Sequence, residues 1–308
     1  MHRFPFFSLL IHDWGNPMIS LSFARAYARF YLLFKRVTGR NLRGLGWALD
    51  RIKKPAILEV EGHRFHLLPG ISRAYGVMAA GHWNEPETHL FLDAFLKALG
   101  EKVTFIDVGA SIGEFAIPYA RHPKVKSVIA FEPLHEAAQA VRHTAEEEHL
   151  VNLQVREKAV SNRVETLSFN TSRRSPTSSH LVEQSPGRVD EQPEATVATT
   201  TLDAELEGLQ PPAVILMDIE GGEHEAMQGA LTTVRAVRPL FIFEYNQTSK
   251  KYFSLEQVRA LLGDDYAIYR LRRDGRLDRE EKDTWNMVAV PKEGAMNSAV
   301  QGLMAISP

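Results

Sequence analysis

Three groups of residues in this chain combine acids and glycines at spacings suited to ligand binding and proton transfer. The first is Asp107-Val-Gly-Ala-Ser-Ile-Gly113, where Gly109 and Gly113 let the backbone turn sharply and approach a ligand closely. The second is Glu132, which follows the apolar run Val-Ile-Ala-Phe and can accept hydrogen bonds from both hydroxyls of a ribose. The third is Asp218-Ile-Glu-Gly-Gly-Glu223, with Glu244 and Asn246 further along. Alternate residues of an extended chain share a face, so Asp218 and Glu220 are expected side by side, and Glu223 reads as a charge favouring a helix start. Asp218, Glu220 and Glu244 are the candidate catalytic acids, placed to take a proton from an acceptor. His82 and His180 are further base candidates on loops. Asp218, Glu244 and Asn246 form an oxygen-ligand set suited to Mg²⁺. Tyr245, Asn246 and Gln247 are expected to converge on the same crevice edge.

Asp107 narrows the choice of ligand. The spacing G-x-x-x-G departs from the dinucleotide fingerprint G-x-G-x-x-G. An acid just before the turn is a poor neighbour for a pyrophosphate and a good one for a cation, since like charges repel and opposite charges attract. A nucleoside ligand with a cationic end therefore fits better than an anionic one. An NAD(P)-dependent oxidoreductase shares the strand-end acid and is the competing enzyme reading. A binding module without chemistry is the other.

These residues need a scaffold that brings distant loops to one edge. Strand-like stretches at 103–108, 127–131, 152–160, 213–217, 240–245, 266–271 and 287–290, of which 213–217 and 240–245 are apolar runs, alternate with helical stretches at 114–121, 135–149 and 223–237. Continuous apolar runs separated by helices read as parallel strands buried on both faces. Seven such strands make a doubly wound α/β sheet. Ala159, at the end of the third, is expected near an adenine ring. Between β-like runs at 165–170 and 196–201 lies a Ser-, Pro- and Thr-rich stretch, 172–195, read as the mobile tip of an added hairpin or a lid over the acceptor.

Ahead of the sheet, residues 1–78 form an extension, residues 79–291 the main domain, and residues 292–308 a frayed tail. In 18–54, Arg25, Arg29, Lys35, Arg36, Arg40, Arg43, Arg51, Lys53 and Lys54 face a single acid, Asp50. Phe23, Tyr27, Phe30, Tyr31, Phe34 and Val37 recur at spacings of three and four, one face of a helix. Such a stripe is expected to pack on the main domain. A peripheral membrane contact through 18–54 is the alternative. Runs at 56–60 and 63–68 around Glu61-Gly62 read as a hairpin, and a helix is expected over 88–99.

Bulk composition excludes several classes. With 308 residues, 44% hydrophobic and 24% charged, the chain resembles ordinary globular proteins, and a net charge of −2 gives no reason to expect nucleic acid as a partner. There is no cysteine, which removes disulfides, thiolate metal sites and cysteine nucleophiles. No apolar run approaches the ~18 residues of a membrane-spanning helix. No secretory signal is recognisable, so the expected location is cytoplasmic, with the membrane-peripheral alternative noted above.

Asp107-Val-Gly-Ala-Ser-Ile-Gly113, Phe131-Glu-Pro, Thr201-Leu-Asp and Asp218-Ile-Glu-Gly-Gly-Glu together resemble the FkbM-type S-adenosylmethionine-dependent methyltransferases over roughly 80–290. The resemblance implies a class I methyltransferase (Rossmann-like) fold: a seven-stranded doubly wound α/β sheet, here with an N-terminal helical and hairpin extension and an inserted β-hairpin. It implies S-adenosyl-L-methionine as cofactor and O-methylation of a hydroxyl on a sugar, glycan or polyketide-like small molecule. The cofactor-contacting set carried over is Asp107, Gly109, Ala110, Ser111, Gly113, Glu132, Pro133, Ala159 and Asp218. Two departures stand out: Ser111 replaces the usual Asn, and Leu216 replaces a common Lys.

Overall fold

The computed structural model describes residues 20–39, 44–170, 180–181, 195–280 and 285–305. Helix α1 (Leu21–Thr38) starts where the Ser20 hydroxyl accepts from the Phe23 amide. It stops at Gly39, left-handed at φ 67, whose N–H donates to the Lys35 carbonyl. Helix α2 (Leu45–Leu49) follows. Strands β1 (Ala56–Val60) and β2 (His63–Leu67) pair antiparallel around Glu61 and Gly62, both at positive φ, as the hairpin reading expects. A 3-10 segment (Ser72–Ala80) leads to α3 (Pro86–Ala98), which begins on proline with Glu87 in its first turn.

The alternation then begins with β3 (Val103–Val108), α4 (Ala116–Ala120), β4 (Val125–Phe131), α5 (His135–Glu147) and β5 (Leu153–Arg156). Short strands β6 (Ala159–Val160), β7 (Thr166–Asn170), β8 (His180–Leu181) and β9 (Ala195–Thr200) form a second sheet in the order β6-β9-β7-β8. The chain returns through α6 (Leu202–Glu205), β10 (Ala213–Met217), α7 (Glu223–Gln228), α8 (Leu231–Val237) and β11 (Leu240–Glu244). It ends with α9 (Leu255–Leu262), β12 (Tyr266–Leu271), β13 (Leu277–Asp278), β14 (Asn286–Pro291) and α10 (Ala295–Gln301).

The main sheet runs β13-β12-β14-β11-β10-β3-β4-β5. Strands β5, β4, β3, β10 and β11 are parallel neighbours, and β14 inserts antiparallel between β11 and β12. This is the class I methyltransferase arrangement with an eighth strand at one edge. Strand β13 escapes the sequence pattern because it is two residues long, pairing with β12 as Arg270 with Asp278 and Leu271 with Leu277.

Three further expectations are corrected, and one motif gains a role. The third strand does not run from 152 to 160: the Lys158 amide folds back onto the Arg156 carbonyl at 3.0 Å, and Ala159 pairs with Thr199 in the second sheet. The helix at 223–237 breaks at Gly229, where an added Cβ would lie 2.2 Å from the Ser161 carbonyl oxygen. Asp203 caps α8, accepting from the Thr232 and Thr233 amides at 2.9 and 2.7 Å, so Thr201-Leu-Asp is a structural motif. The supposed tail carries α10, with Met296, Ala299 and Val300 buried.

The inserted hairpin forms, with β7 and β9 paired from Thr166–Ala198 to Phe169–Ala195. Its expected tip at 172–195 lies outside the described residues except for 180–181 and 195. The extension shares one apolar core with α3, β3 and α4, through Ala24, Ala28, Leu49, Leu58 and Phe65. It does so in an unexpected orientation. Ala24 and Ala28 are buried, while Phe23, Phe30, Leu33 and Val37 are exposed.

Candidate functional site

From β3 the chain moves to β4 and β5 on one side, and after β10 to β11 on the other, so the sheet order reverses between β3 and β10. Open α/β sheets bind ligands beyond the strand ends at such a point. Leu216 pairs with Asp107 and Met217 with Val108, so the two strands end level. Beyond them the Asp218 amide donates to the Val108 carbonyl at 3.0 Å. Gly109 has φ +89, and a Cβ there would lie 2.1 Å from the Asp218 carbonyl oxygen. Glycine at this position is what allows the two acidic loops to meet.

Glu132 holds the glycine loop from the β4 side. Its Oε2 accepts from the Ser111 amide and its Oε1 from the Leu134 amide, both at 2.8 Å. Each oxygen keeps a second lone pair for another donor. Ser111 sits at φ 49, a left-handed conformation that asparagine tolerates better than most residues. Gly113 serves packing, since its Cβ would press on Ile117 at 2.8 Å and Val141 at 3.4 Å.

The Asp218–Gly222 turn brings its acids together by a route that differs from strand alternation. Glu220 is left-handed, φ 55, and Gly221 at φ +109 leaves no room for a Cβ against the Tyr252 ring. Glu223 is fully buried and closes the turn, accepting from the Ile219 amide at 3.0 Å and the Gly221 amide at 3.3 Å. It is a strut rather than a simple helix-start charge.

These loops open on a cavity of about 790 Å³. Gly109, Ala110 and Ser111 form one wall, Asp218, Glu220, Glu244 and Asn246 another, and Leu45 and Leu49 of α2 contribute to a third. Glu85, Glu87 and Glu114 add further carboxylates, and no Lys, Arg or His is among the described lining residues. Leu216 lines the cavity without offsetting these acids. Donor oxygens of Asp218, Glu220 and Glu244 all lie within 4.8 Å of one another. Loss of hydration pushes the Asp218 carboxyl well above the usual range, and the charges of Glu244, Glu85 and Glu220 push it further. Glu244 is raised in the same way, by burial and then by Glu220 and Glu223.

Asn246 is placed differently from expectation. Its Nδ2 donates to Glu244 Oε1 at 2.5 Å, and its Oδ1 accepts from the Thr248 and Ser249 amides at 2.6 and 3.1 Å. That oxygen is committed to the turn, so Glu220 replaces Asn246 in the clustered oxygen set.

A network the sequence reading missed fixes the far wall. Glu114 accepts from the Asn84 amide at 2.7 Å, Asn84 Nδ2 at 2.6 Å and the Glu85 amide at 3.1 Å. Asn286 Nδ2 donates to Glu85 Oε2 at 2.6 Å and Thr88 Oγ1 at 2.9 Å. The only local signal was the acid run before α3, because the partners are remote in sequence.

Other expected residues fall outside the cavity lining. Pro133, Ala159, Tyr245 and Gln247 are not part of it, and Asp107, Gly113 and Glu132 lie behind the lining rather than in it. His82 is exposed and faces Glu61 at 3.5 Å. The side chain of His180 lies outside the described residues. Tyr245 packs on Phe253 at 5.3 Å between ring centroids, with the Lys250 ammonium over its ring.

Asp107 is 1% exposed, and neither of its oxygens meets a donor in hydrogen-bonding geometry. Burial pushes its carboxyl up to about 7, with the Ala116 amide opposing and Glu114 and Glu132 adding to the rise. Burial also lifts Glu132 and Glu223 to about 7. The folded chain therefore holds protons between about pH 4 and 7 that the unfolded chain has released, and stability falls as pH rises through that window. Each tenfold change in proton affinity is worth about 1.4 kcal/mol. His63, His122 and His224, all held low mainly by burial, act oppositely up to their ordinary value near 6.5. The acids held low by partners, such as Glu148 and Glu205, act only below the ordinary carboxylate range. Glu244, held up to about 9 by burial and neighbouring carboxylates, extends the loss above pH 7, so the thermal midpoint of the ligand-free protein is expected to drop between about pH 6.5 and 8. A midpoint that rises over that interval would contradict the burial of these acids.

Residues 107–271, more than half of the chain, match the Methyltransferase FkbM domain family. Similar solved structures include a methyltransferase FkbM from Methylobacillus flagellatus KT, 18% identical, TM-score 0.42, over 61% of this chain and 43% of that one. This chain thus spans less than half of that protein's length. M. jannaschii TYW2 in complex with AdoMet is 14% identical, TM-score 0.39, over 77% and 84% of the two chains. A putative methyltransferase from Streptococcus mutans in complex with SAH is 10% identical, TM-score 0.38, over 67% and 97%. No curated protein matches the chain at a significant level. With its glycine loop, its reversed sheet order and more than half of its length within the family match, the chain belongs to the FkbM methyltransferase family.

Proposed function

We propose that the protein transfers a methyl group from S-adenosylmethionine to a hydroxyl of a polar small molecule of the sugar, glycan or polyketide kind. The observation that carries this reading is the cavity at the sheet reversal, lined by six carboxylates and, among the described residues, no basic side chain. Such a site disfavours a pyrophosphate and favours a cation. The residues present fit the cofactor: Asp107 keeps two buried oxygens with no donor in hydrogen-bonding geometry, and a side chain at Gly109 would fill the space between the loops. When bound, S-adenosylmethionine supplies a methyl carbon made electrophilic by its sulfonium.

The chain's own part is positioning and proton handling. The backbone from Gly109 to Ser111, held by Glu132, forms the cofactor side of the cavity. Asp218, Glu220 and Glu244 form the opposite side, where an acceptor hydroxyl gives its proton to a carboxylate oxygen as its O–H bond breaks. The crowding that raises the Asp218 and Glu244 carboxyls makes them stronger bases once ionised. Methyl-labelled S-adenosylmethionine, incubated with the protein and an extract of its source, is expected to yield one labelled acceptor. Absence of any labelled product across extracts and candidate sugars, with the cofactor bound, would leave only a binding module.

The proximity of the three carboxylates favours a second reading, a divalent-cation site that would include Mg²⁺. EDTA is expected to leave turnover unchanged, because the proton-sharing cluster suffices for the chemistry. Turnover lost in EDTA and restored by Mg²⁺ would reassign the three acids to a metal.

A further inference from the structure

Helix α1 meets the body of the protein through small side chains. Ala24 and Ala28 are fully buried, and Leu21 and Leu32 pack beside them. Successive helix residues are roughly 100° apart, so Phe23, Ala26, Phe30, Leu33 and Val37 form a single stripe facing away from that contact. The stripe is open: Phe23 is 48% exposed, Phe30 53%, Leu33 60% and Val37 76%. Phe34 extends it, its ring 6.4 Å from that of Phe30. Exposed Arg29 and Arg36 run along one flank, and Lys35 joins Arg36 in the last turn. Residues 20–39 contain no Asp or Glu.

Large apolar side chains in one stripe, rimmed by bases, suit an interface that is apolar within and negative at its edge. The charge also selects among occupants. A second copy would set the Arg29 and Arg36 rims of both helices against each other, whereas an anionic lipid surface attracts them. No described helix is long and apolar enough to cross a membrane, so the contact would be peripheral. We propose that α1 seats the protein on an anionic bilayer surface, with Phe23, Phe30, Leu33 and Val37 in the interface and Arg29 and Arg36 at the headgroups. Helix α1 packs on α2 and the 3-10 segment, which furnish Leu45, Leu49, Ala74 and Gly76 to the cavity wall, so the seat adjoins the site. The inference goes beyond the methyl-transfer reading and does not rest on it.

The test is flotation of the full chain with vesicles of phosphatidylcholine alone and of phosphatidylcholine mixed with phosphatidylserine. Binding is expected with the mixed vesicles, and weaker by about fivefold per basic residue removed in the Arg29→Glu, Arg36→Glu double variant. Phe30→Glu with Leu33→Glu is expected to lower binding by at least about tenfold. All four positions are exposed, so the thermal midpoints of both variants should stay near that of the parent. Absence of flotation with mixed vesicles would overturn the proposal, as would a Phe30→Glu, Leu33→Glu variant that floats like the parent. A parent dimer split by that same variant would assign the stripe to a second copy and overturn it equally.

Discussion

Gly109→Ala is expected to destabilise the protein by about 2–5 kcal/mol and to abolish cofactor binding. Two costs add. Gly109 has φ +89, which an L side chain adopts at a cost of about 1–2 kcal/mol. The new Cβ would also stand 2.1 Å from the Asp218 carbonyl oxygen, which is backbone and cannot rotate away. Relieving that overlap means separating the β3 and β10 loops, breaking the Asp218 amide bond to Val108 and moving Asp218 relative to Glu244. Gly100→Ala is the control: nothing lies within 4 Å of the added atom and the residue is not at positive φ. Chemical unfolding of the two variants should separate them clearly. Equal midpoints would mean that the loops are not in this contact.

Asp218→Asn is expected to lower kcat by about 10²–10⁴ while leaving cofactor affinity within a few-fold of the parent. The substitution keeps shape and the backbone bond to Val108, and removes only the ability to take a proton. Glu244→Gln should act differently. Glu244 is the largest charge raising the Asp218 carboxyl, so its loss lowers that pKa and moves the rising limb of the pH–rate profile toward lower pH. Full turnover in Asp218→Asn and in Glu220→Gln would show that the base lies elsewhere.

The half of the site proposed to hold the cofactor was legible because its physics is local. Asp107, Gly109 and Glu132 lie within two consecutive strand ends, and the turn between them demands glycine. The acidic turn at Asp218–Glu223 was legible as a cluster, but its geometry was not. Whether Glu220 is left-handed, or Glu223 buried as a strut, depends on Tyr252 and on amides that a linear pattern does not weigh. The Glu85–Glu114–Asn286 network joins three elements remote in sequence, so no spacing could reveal it. Strand β13 is too short to carry an alternation. The orientation of α1 was misread because aromatic stripes usually face a core, and here alanines make the close contact. The acceptor left no comparable trace, since carboxylates in a polar cavity suit many hydroxyl compounds.

The measurement that tests the central claim most directly is a calorimetric titration of the protein with S-adenosylmethionine and, separately, with NADH, repeated on Asp107→Asn. Saturable binding of S-adenosylmethionine is expected, with none of NADH, and with affinity lost in the variant while its unfolding transition remains cooperative. Binding of NADH in preference to S-adenosylmethionine, or unchanged affinity for S-adenosylmethionine in Asp107→Asn, would contradict the assignment of this acidic crevice to a cationic methyl donor.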